Sequence, residues 1–331
     1  MDLSFNLNLF SKYRTELMGL SAIGIILCHS VVEGVKMNPI LAYILGLGNV
    51  GVDIFLFLSG VGMYYSIHNA KRGGVIAWYK KRYVRILIPY MIITLPWWIY
   101  FSISRDIGLT GFILNVTTLN YWVIHMGAWY VALLIPLYLI TPLLAYIVDR
   151  SSNRLLVAII IMVSIFILTN NLKPSLDDIT IKSIVDNIQK AFCRSPIYIF
   201  GYAIAPQIQQ EYKINLCWFL LFFVLQLAMP FIPLINEWQR YCIMAIPFAV
   251  ILCYVLNVCN NRVRLLCKMI GTISLESYLA NVFVSYFLKE IPEMTNNSGV
   301  FVGNYLYYSL VVVLGFVYAI SAYLLNKRIL K

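Results

Sequence analysis

Charge is what this chain has least of. Charged side chains make up 12% of its 331 residues, with only 14 acidic groups against 25 lysines and arginines, where a soluble domain carries roughly a quarter. With 61% hydrophobic residues and a mean hydropathy of +0.80, an ordinary soluble domain with a polar surface is excluded. No apolar run shows the two-residue alternation of an outer-membrane barrel, and no internal repeat or low-complexity stretch is present. No loop is long enough for a separate soluble domain. The seven cysteines lack Cys-x-x-Cys spacing and fall mostly within or beside apolar runs, so they are assigned to packing, with no disulfide and no metal site. A small-residue cleavage site after the first apolar run is also missing, so that run is expected to remain as a helix.

What is there is length and apolarity enough to cross a bilayer many times. A spanning helix needs roughly 20 mostly apolar residues. The sequence predicts spans near 17–35, 45–66, 84–103, 126–147, 154–170, 193–208, 214–232, 240–258, 270–288 and 303–325. The expected fold is therefore an all-α polytopic membrane protein, a bundle of about ten transmembrane helices forming a single domain over 1–331. With a cytoplasmic N-terminus, 17 of the 25 basic residues fall on the inner side, among them Lys71, Arg72, Lys80, Lys81, Arg150, Arg262 and Lys331. That asymmetry predicts both termini in the cytoplasm. The net charge of +11 then reads as contact with anionic membrane lipids and not as a nucleic-acid footprint.

Ionisable residues inside the spans are few: His29 in the first, Asp53 in the second and Glu276 in the ninth. Such groups are costly in lipid and mark function or a paired structural contact. His29 lies about 22 Å along the helix axis from Arg14, past the bilayer centre from the cytoplasmic end. Asp53 enters from the outer side at a similar depth, so it is expected to orient His29 as a carboxylate orients an imidazole in hydrolytic triads. Glycines 48, 51, 60 and 62 predict close approach of the second helix to its neighbours. His125 is placed at a helix mouth.

At the inner mouth of the third span stands WYKKRYVRILIPY, Trp78 to Tyr90. Arg82 and Arg85 share a helical face, and a pair of guanidinium groups suits a phosphorylated ligand. Ordinary positive-inside anchoring explains Lys80 and Lys81 better than it explains the arginines. Trp97, Trp98, Tyr121, Trp122, Trp129 and Tyr130 enrich the outer half, where an interfacial belt and sugar stacking are both open.

Taken in order, RTELMGLSAIGIILCHS, GVDIFLFLSG, KKRYVR, WYVALLIPLYLITPLL and ISLESYLAN resemble the acyltransferase-3 family of integral-membrane O-acyltransferases. The resemblance runs from Arg14 to Asn281. It implies catalytic roles for His29 and Asp53, donor contacts for Arg82 and Arg85, and a supporting role for Ser59. The family usually carries a basic residue where Met18 stands here, and Arg14, one turn earlier, is the substitute. A histidine is common in the family where Asn281 stands, a carboxylate expected near WYVALLIPLY is missing, and so is the soluble esterase-like domain of some relatives. Asn281 and Glu276 join as supporting residues, and Trp129 and Tyr130 as acceptor contacts.

The resemblance implies an O-acetyltransferase of a bacterial cell membrane. It would move acetyl from acetyl-CoA, a co-substrate and not a resident cofactor, to a hydroxyl of a cell-surface or lipid-linked carbohydrate. His29 would act as general base or as a transient acyl carrier. A proton-coupled permease using His29 and Asp53 as a relay is the competing expectation, although the paired broken helices of such transporters are not evident.

Overall fold

The computed structural model describes residues 4–69, 74–125, 127–172, 178–217, 221, 224, 236–291 and 304–329. Lys71, Arg72 and Lys331 lie outside them, as does most of the expected span 214–232. Among the described residues the architecture is all-α apart from one short antiparallel pair, β1 (Ser4–Asn6) with β2 (Lys213–Asn215), in the register Phe5 opposite Ile214. Helices follow in the order α1 (Leu9–Lys12), α2 (Arg14–Val32), α3 (Pro39–Gly46), α4 (Val50–His68), α5 (Gly74–Ser104), α6 (Leu109–Val116), α7 (Leu119–Ile124) and α8 (Trp129–Asp149). The second half holds α9 (Arg154–Asn171), α10 (Ile179–Phe192), α11 (Pro196–Gln209), α12 (Glu237–Val258), α13 (Asn261–Thr272), α14 (Ser274–Lys289) and α15 (Tyr305–Ile329).

Among the described residues, 7 helical stretches are long and apolar enough to cross a membrane. The chain is thus an all-α integral membrane protein. Two further expected spans, 193–208 and 270–288, are also helical but shorter. They appear as α11, of 14 residues, and α14, of 16. At 1.5 Å per residue, 14 residues cover only about 21 Å, less than the hydrocarbon core. Both are lined with buried side chains and sit inside the bundle, so neighbouring helices shield them from lipid. α13 joins α14 through the single residue Ile273.

Close helix crossings organise the interior, and they fall at the glycines. A Cβ on Gly60 of α4 would collide with the Tyr198 carbonyl of α11, and one on Gly201 of α11 with the Phe57 carbonyl of α4. Gly48 likewise leaves no room against Gly24 of α2. In lipid, where apolar surface gives little drive for helix association, such backbone proximity is a main source of packing energy.

Proline raises a separate problem that the fold solves locally. Pro96 inside α5 has no N–H for the Ile92 carbonyl, which would be left bare in a lipid-like interior. The Tyr318 hydroxyl of α15 reaches the Ile92 carbonyl at 3.3 Å and the Ile93 carbonyl at 2.9 Å. α5 is thereby tied to α15.

These crossings give a stability test. Gly60→Ala forces a methyl into a backbone contact and is expected to cost about 1–3 kcal/mol. Gly46→Ala meets nothing within 4 Å and should be neutral. Thermal melting of the two variants in detergent, read by size-exclusion monodispersity, separates them; equal melting would deny the α4/α11 crossing.

Candidate active site

A cavity of about 440 Å³ opens among α2, α4, α5, α8, α13, α14 and α15. Arg14, Arg82 and Arg85 all line it. Each comes from the basic end of its helix, as the positive-inside pattern requires. Arg14 donates from Nη2 to the Leu58 carbonyl of α4 at 3.4 Å, and its guanidinium packs where a Cβ on Gly62 would stand. The Nε atoms of Arg14 and Arg82 are buried without a hydrogen-bond partner among the described residues. A buried cationic donor with nothing to bind costs free energy, so the cavity is poised for an anion.

The remaining walls mix polar and apolar groups. Ser59 of α4 and Tyr130 of α8 lie with their hydroxyls 3.5 Å apart, and Tyr138, Glu276, Asn326 and Met18 also line the space. Met18 therefore stands at the same cavity as Arg14, so a basic side chain at either position would reach it. Tyr130 was expected to meet the acceptor. It is 6% exposed and stands on the wall of the arginine-lined cavity.

His29 is not among the residues lining this cavity. It stands beyond a pair of rings: its centroid is 6.3 Å from that of Tyr278, which in turn is 5.9 Å from Tyr130 at an interplanar angle of 82°. Its Nδ1 lies 2.8 Å from the side-chain oxygen of Asn281 on α14. An amide oxygen can only accept, so Nδ1 carries the proton and neutral His29 presents the Nε2 lone pair. Tyr308 braces the arrangement by donating to the Ile26 carbonyl of α2.

The same seam continues outward by one helical turn on each side. Glu33, four residues after His29, accepts from the Ser285 hydroxyl at 2.9 Å and pairs with Lys289 at 2.6 Å. Ser285 and Lys289 follow Asn281 at four-residue steps along α14. The two helices thus meet along a ladder of polar contacts that fixes the rotation of His29.

Asp53 does not orient His29. Its carboxylate is fully buried and accepts from Arg194, with Nε 2.9 and 3.1 Å from its two oxygens and Nη2 closing the fork. The same guanidinium donates to the Asn49 side chain at 3.1 Å and to its carbonyl at 2.8 Å. Trp129, the other expected acceptor contact, lies against the Arg194 cation at 4.9 Å, with Tyr241 at 5.6 Å. The physical reason for the correction is charge balance: a buried carboxylate takes a cation before it takes a neutral ring. His125 ends α7 in a left-handed conformation (φ 55°) and contacts Asn187 at 2.8 Å. Burial lowers its pKa, the Asn187 contact opposing.

Arg194, Tyr278 and Asn49 are the residues that sequence reasoning missed. Arg194 had a usable signal: an intramembrane aspartate needs a cation, and FCRSP places one at the start of an apolar span. Tyr278 had none beyond its place in ISLESYLAN.

A helical membrane bundle with an open cavity lined by three arginines, and an imidazole held by Asn281 near it, brings polar groups together inside the membrane domain. The acyltransferase-3 family model, described as an acyltransferase domain, matches residues 17–324. The chain belongs to that family and is a membrane acyltransferase. No curated protein and no solved structure matches it.

The Asp53–Arg194 assignment carries its own test. Asp53→Asn strands a buried guanidinium and should destabilise the protein by about 3–5 kcal/mol, whereas Asp53→Asn combined with Arg194→Gln removes both charges and recovers much of the loss. Melting temperatures of the four-member cycle check it. Additive losses would mean that the two groups do not interact.

Proposed function

We propose that the protein is an O-acetyltransferase that takes acetyl from cytoplasmic acetyl-CoA and passes it to a hydroxyl of a cell-surface or lipid-linked carbohydrate in a bacterial cell membrane. The observation that carries the donor half is the convergence of Arg14, Arg82 and Arg85 on one cavity. Two of these arginines hold buried donors without hydrogen-bond partners among the described residues. Phosphates of a coenzyme A are what such a set of planar cations would hold, with the pantetheine arm extending past Ser59 and Tyr130. That long arm matters, because the reactive end must reach His29 beyond Tyr130 and Tyr278.

At His29 the chemistry is a general-base acyl transfer. The acceptor hydroxyl approaches from the outer side, since His29 lies past the bilayer centre measured from Arg14. The unprotonated Nε2 takes the hydroxyl proton as the oxygen attacks the thioester carbonyl. The imidazolium then returns that proton to the departing thiolate. Asn281 keeps the reactive nitrogen free by holding the proton on Nδ1. The acceptor sugar and the acyl length belong to this reading through the family alone. A permease built on an Asp53–His29 relay loses its basis once Asp53 is engaged by Arg194.

Two substitutions divide the roles. His29→Ala should lower acetyl transfer by about 10²–10⁴-fold with donor binding unchanged. The double variant Arg82→Lys with Arg85→Lys keeps the charge but loses the planar forks, and should weaken acetyl-CoA binding about tenfold, roughly 1.4 kcal/mol. Calorimetric titration of purified protein, alongside mass spectrometry of envelope glycans from cells with and without it, reads both. Near-normal transfer by folded His29→Ala protein, or unchanged donor affinity in the double variant, would overturn the corresponding assignment.

A further inference from the structure

The arginine-lined cavity has two unlike ends. Phe55, Ser59 and Met63 line it at four-residue steps along α4, and Tyr130, Leu134 and Tyr138 do the same along α8. Each stripe runs about 12 Å at 1.5 Å per residue. The two helices finish together, with Asp149 of α8 paired to His68 of α4, so Met63 and Tyr138 share one end. That end is cationic, since the Arg14 guanidinium packs on Gly62 beside Met63. At the other end the stripes close ring on ring. Phe55 stands 5.9 Å from Tyr130 at 45°, and Tyr130 stands 5.9 Å from Tyr278 at 82°. Phe55 and Tyr278 are both buried. Rings at such separations are in van der Waals contact and leave no gap for a carbon chain. His29 lies directly behind, 6.3 Å from Tyr278. The Tyr130 hydroxyl reaches Ser59 at 3.5 Å, long for an O–H···O bond, so this ring is the loosely tethered leaf of the wall.

We infer that Phe55, Tyr130 and Tyr278 set the size of the acyl group that the enzyme transfers, admitting acetyl and turning away longer chains. This rests on the reading in which the phosphates of a coenzyme A sit at the arginines and His29 is the base. Acetyl enters that reading through the family; the rings give it a physical cause. The acyl group leads the arm, so it is the first part of the donor to meet the wall, and its size is probed before the thioester reaches the imidazole. Acetyl presents a single methyl ahead of its carbonyl and needs only a small turn of Tyr130. Each further methylene needs more room from a close-packed wall whose outer rings are fixed on α4 and α14. The cations cannot supply this discrimination, because every acyl-CoA carries the same phosphates.

Internal competition measures the selection. Purified protein is given acetyl-CoA and propionyl-CoA together, with the envelope fraction of cells lacking the protein as acceptor, and mass spectrometry reads the two esters formed. The parent should favour acetyl by about 10–200-fold for the one added methylene. Tyr130→Val and Tyr278→Leu each remove a ring and should each lower that preference by about tenfold, whereas Tyr138→Leu at the arginine end should keep it. Because the readout is a ratio within one reaction, a loss of folded protein lowers both esters alike and leaves the ratio where it was. A parent ratio retained in both ring variants overturns the wall, while the donor reading stands on the acetyl ester still formed. A parent that uses the two donors equally overturns it as well. If the parent forms neither ester and calorimetry detects no acetyl-CoA binding, the donor reading falls and the wall falls with it.

Discussion

Everything polar in this bundle must find its partner inside the protein, and the Arg194 fork on Asp53 is where that constraint bears hardest. Two opposite charges, 1% and 0% exposed, are carried by the turn leading into α11 and by α4. Attraction offsets their desolvation only if the helices meet at the right height. The Gly60–Tyr198 and Gly201–Phe57 crossings supply that height by letting the same two helices touch backbone to backbone. α4 is then fixed, and with it Ser59 and Gly62 on the wall of the arginine cavity. The ion pair is remote from His29 in its bonding, yet it positions a helix that forms one wall of the arginine-lined cavity.

Neighbouring helices apply the same logic to the backbone. Tyr318 covers a carbonyl that Pro96 releases in α5, and Tyr308 covers one in α2 next to the histidine. α5 carries Arg82 and Arg85, and α2 carries Arg14 and His29. Both sites of the proposed chemistry thus hang from helices pinned by tyrosines of α15. This explains how a terminal helix contributes to function without offering a reactive group.

Much of this was legible in the sequence because the signals were local. Apolar length predicted the spans, and of those falling on described residues each is helical. Gly48, Gly51 and Gly60 of the second span lie at close backbone crossings, Gly62 faces the Arg14 guanidinium, and the basic ends of three helices gather at one cavity. The His29 partner was not legible, because an aspartate and an asparagine are equally able to hold an imidazole and only the packing of α2 on α14 chooses between them. Four-residue steps along ISLESYLANVFVSYFLK do align Asn281, Ser285 and Lys289 on one face. That alignment acquires meaning only when the facing helix is known to present His29 and Glu33 at the same interval. The resemblance gives Trp129 and Tyr130 one role, yet neighbours in a helix point some 100° apart. One ring consequently covers Arg194 and the other lines the arginine-lined cavity.

The separation of the arginine-lined cavity from the histidine is the most consequential feature of the arrangement. A single open chamber holding cations, thioester and base together would expose the activated carbonyl to water and waste it by hydrolysis. Tyr130 and Tyr278 stand between the arginines and His29, so in the proposed reaction an acyl group would meet the base only after its carrier is seated deeply enough to pass both rings. Binding energy gathered at the phosphates, far from the reacting carbon, is then available to draw the arm into that narrow place. On this view the arginines do more than hold the donor, since what they bind determines whether the thioester reaches the imidazole at all. Shortening the carrier should accordingly lower turnover as well as affinity: an acetyl thioester of pantetheine without the nucleotide is expected to transfer with a reduced kcat even at saturation, in steady-state kinetics with purified protein. An unchanged kcat would mean that the arginines only raise the local concentration of donor.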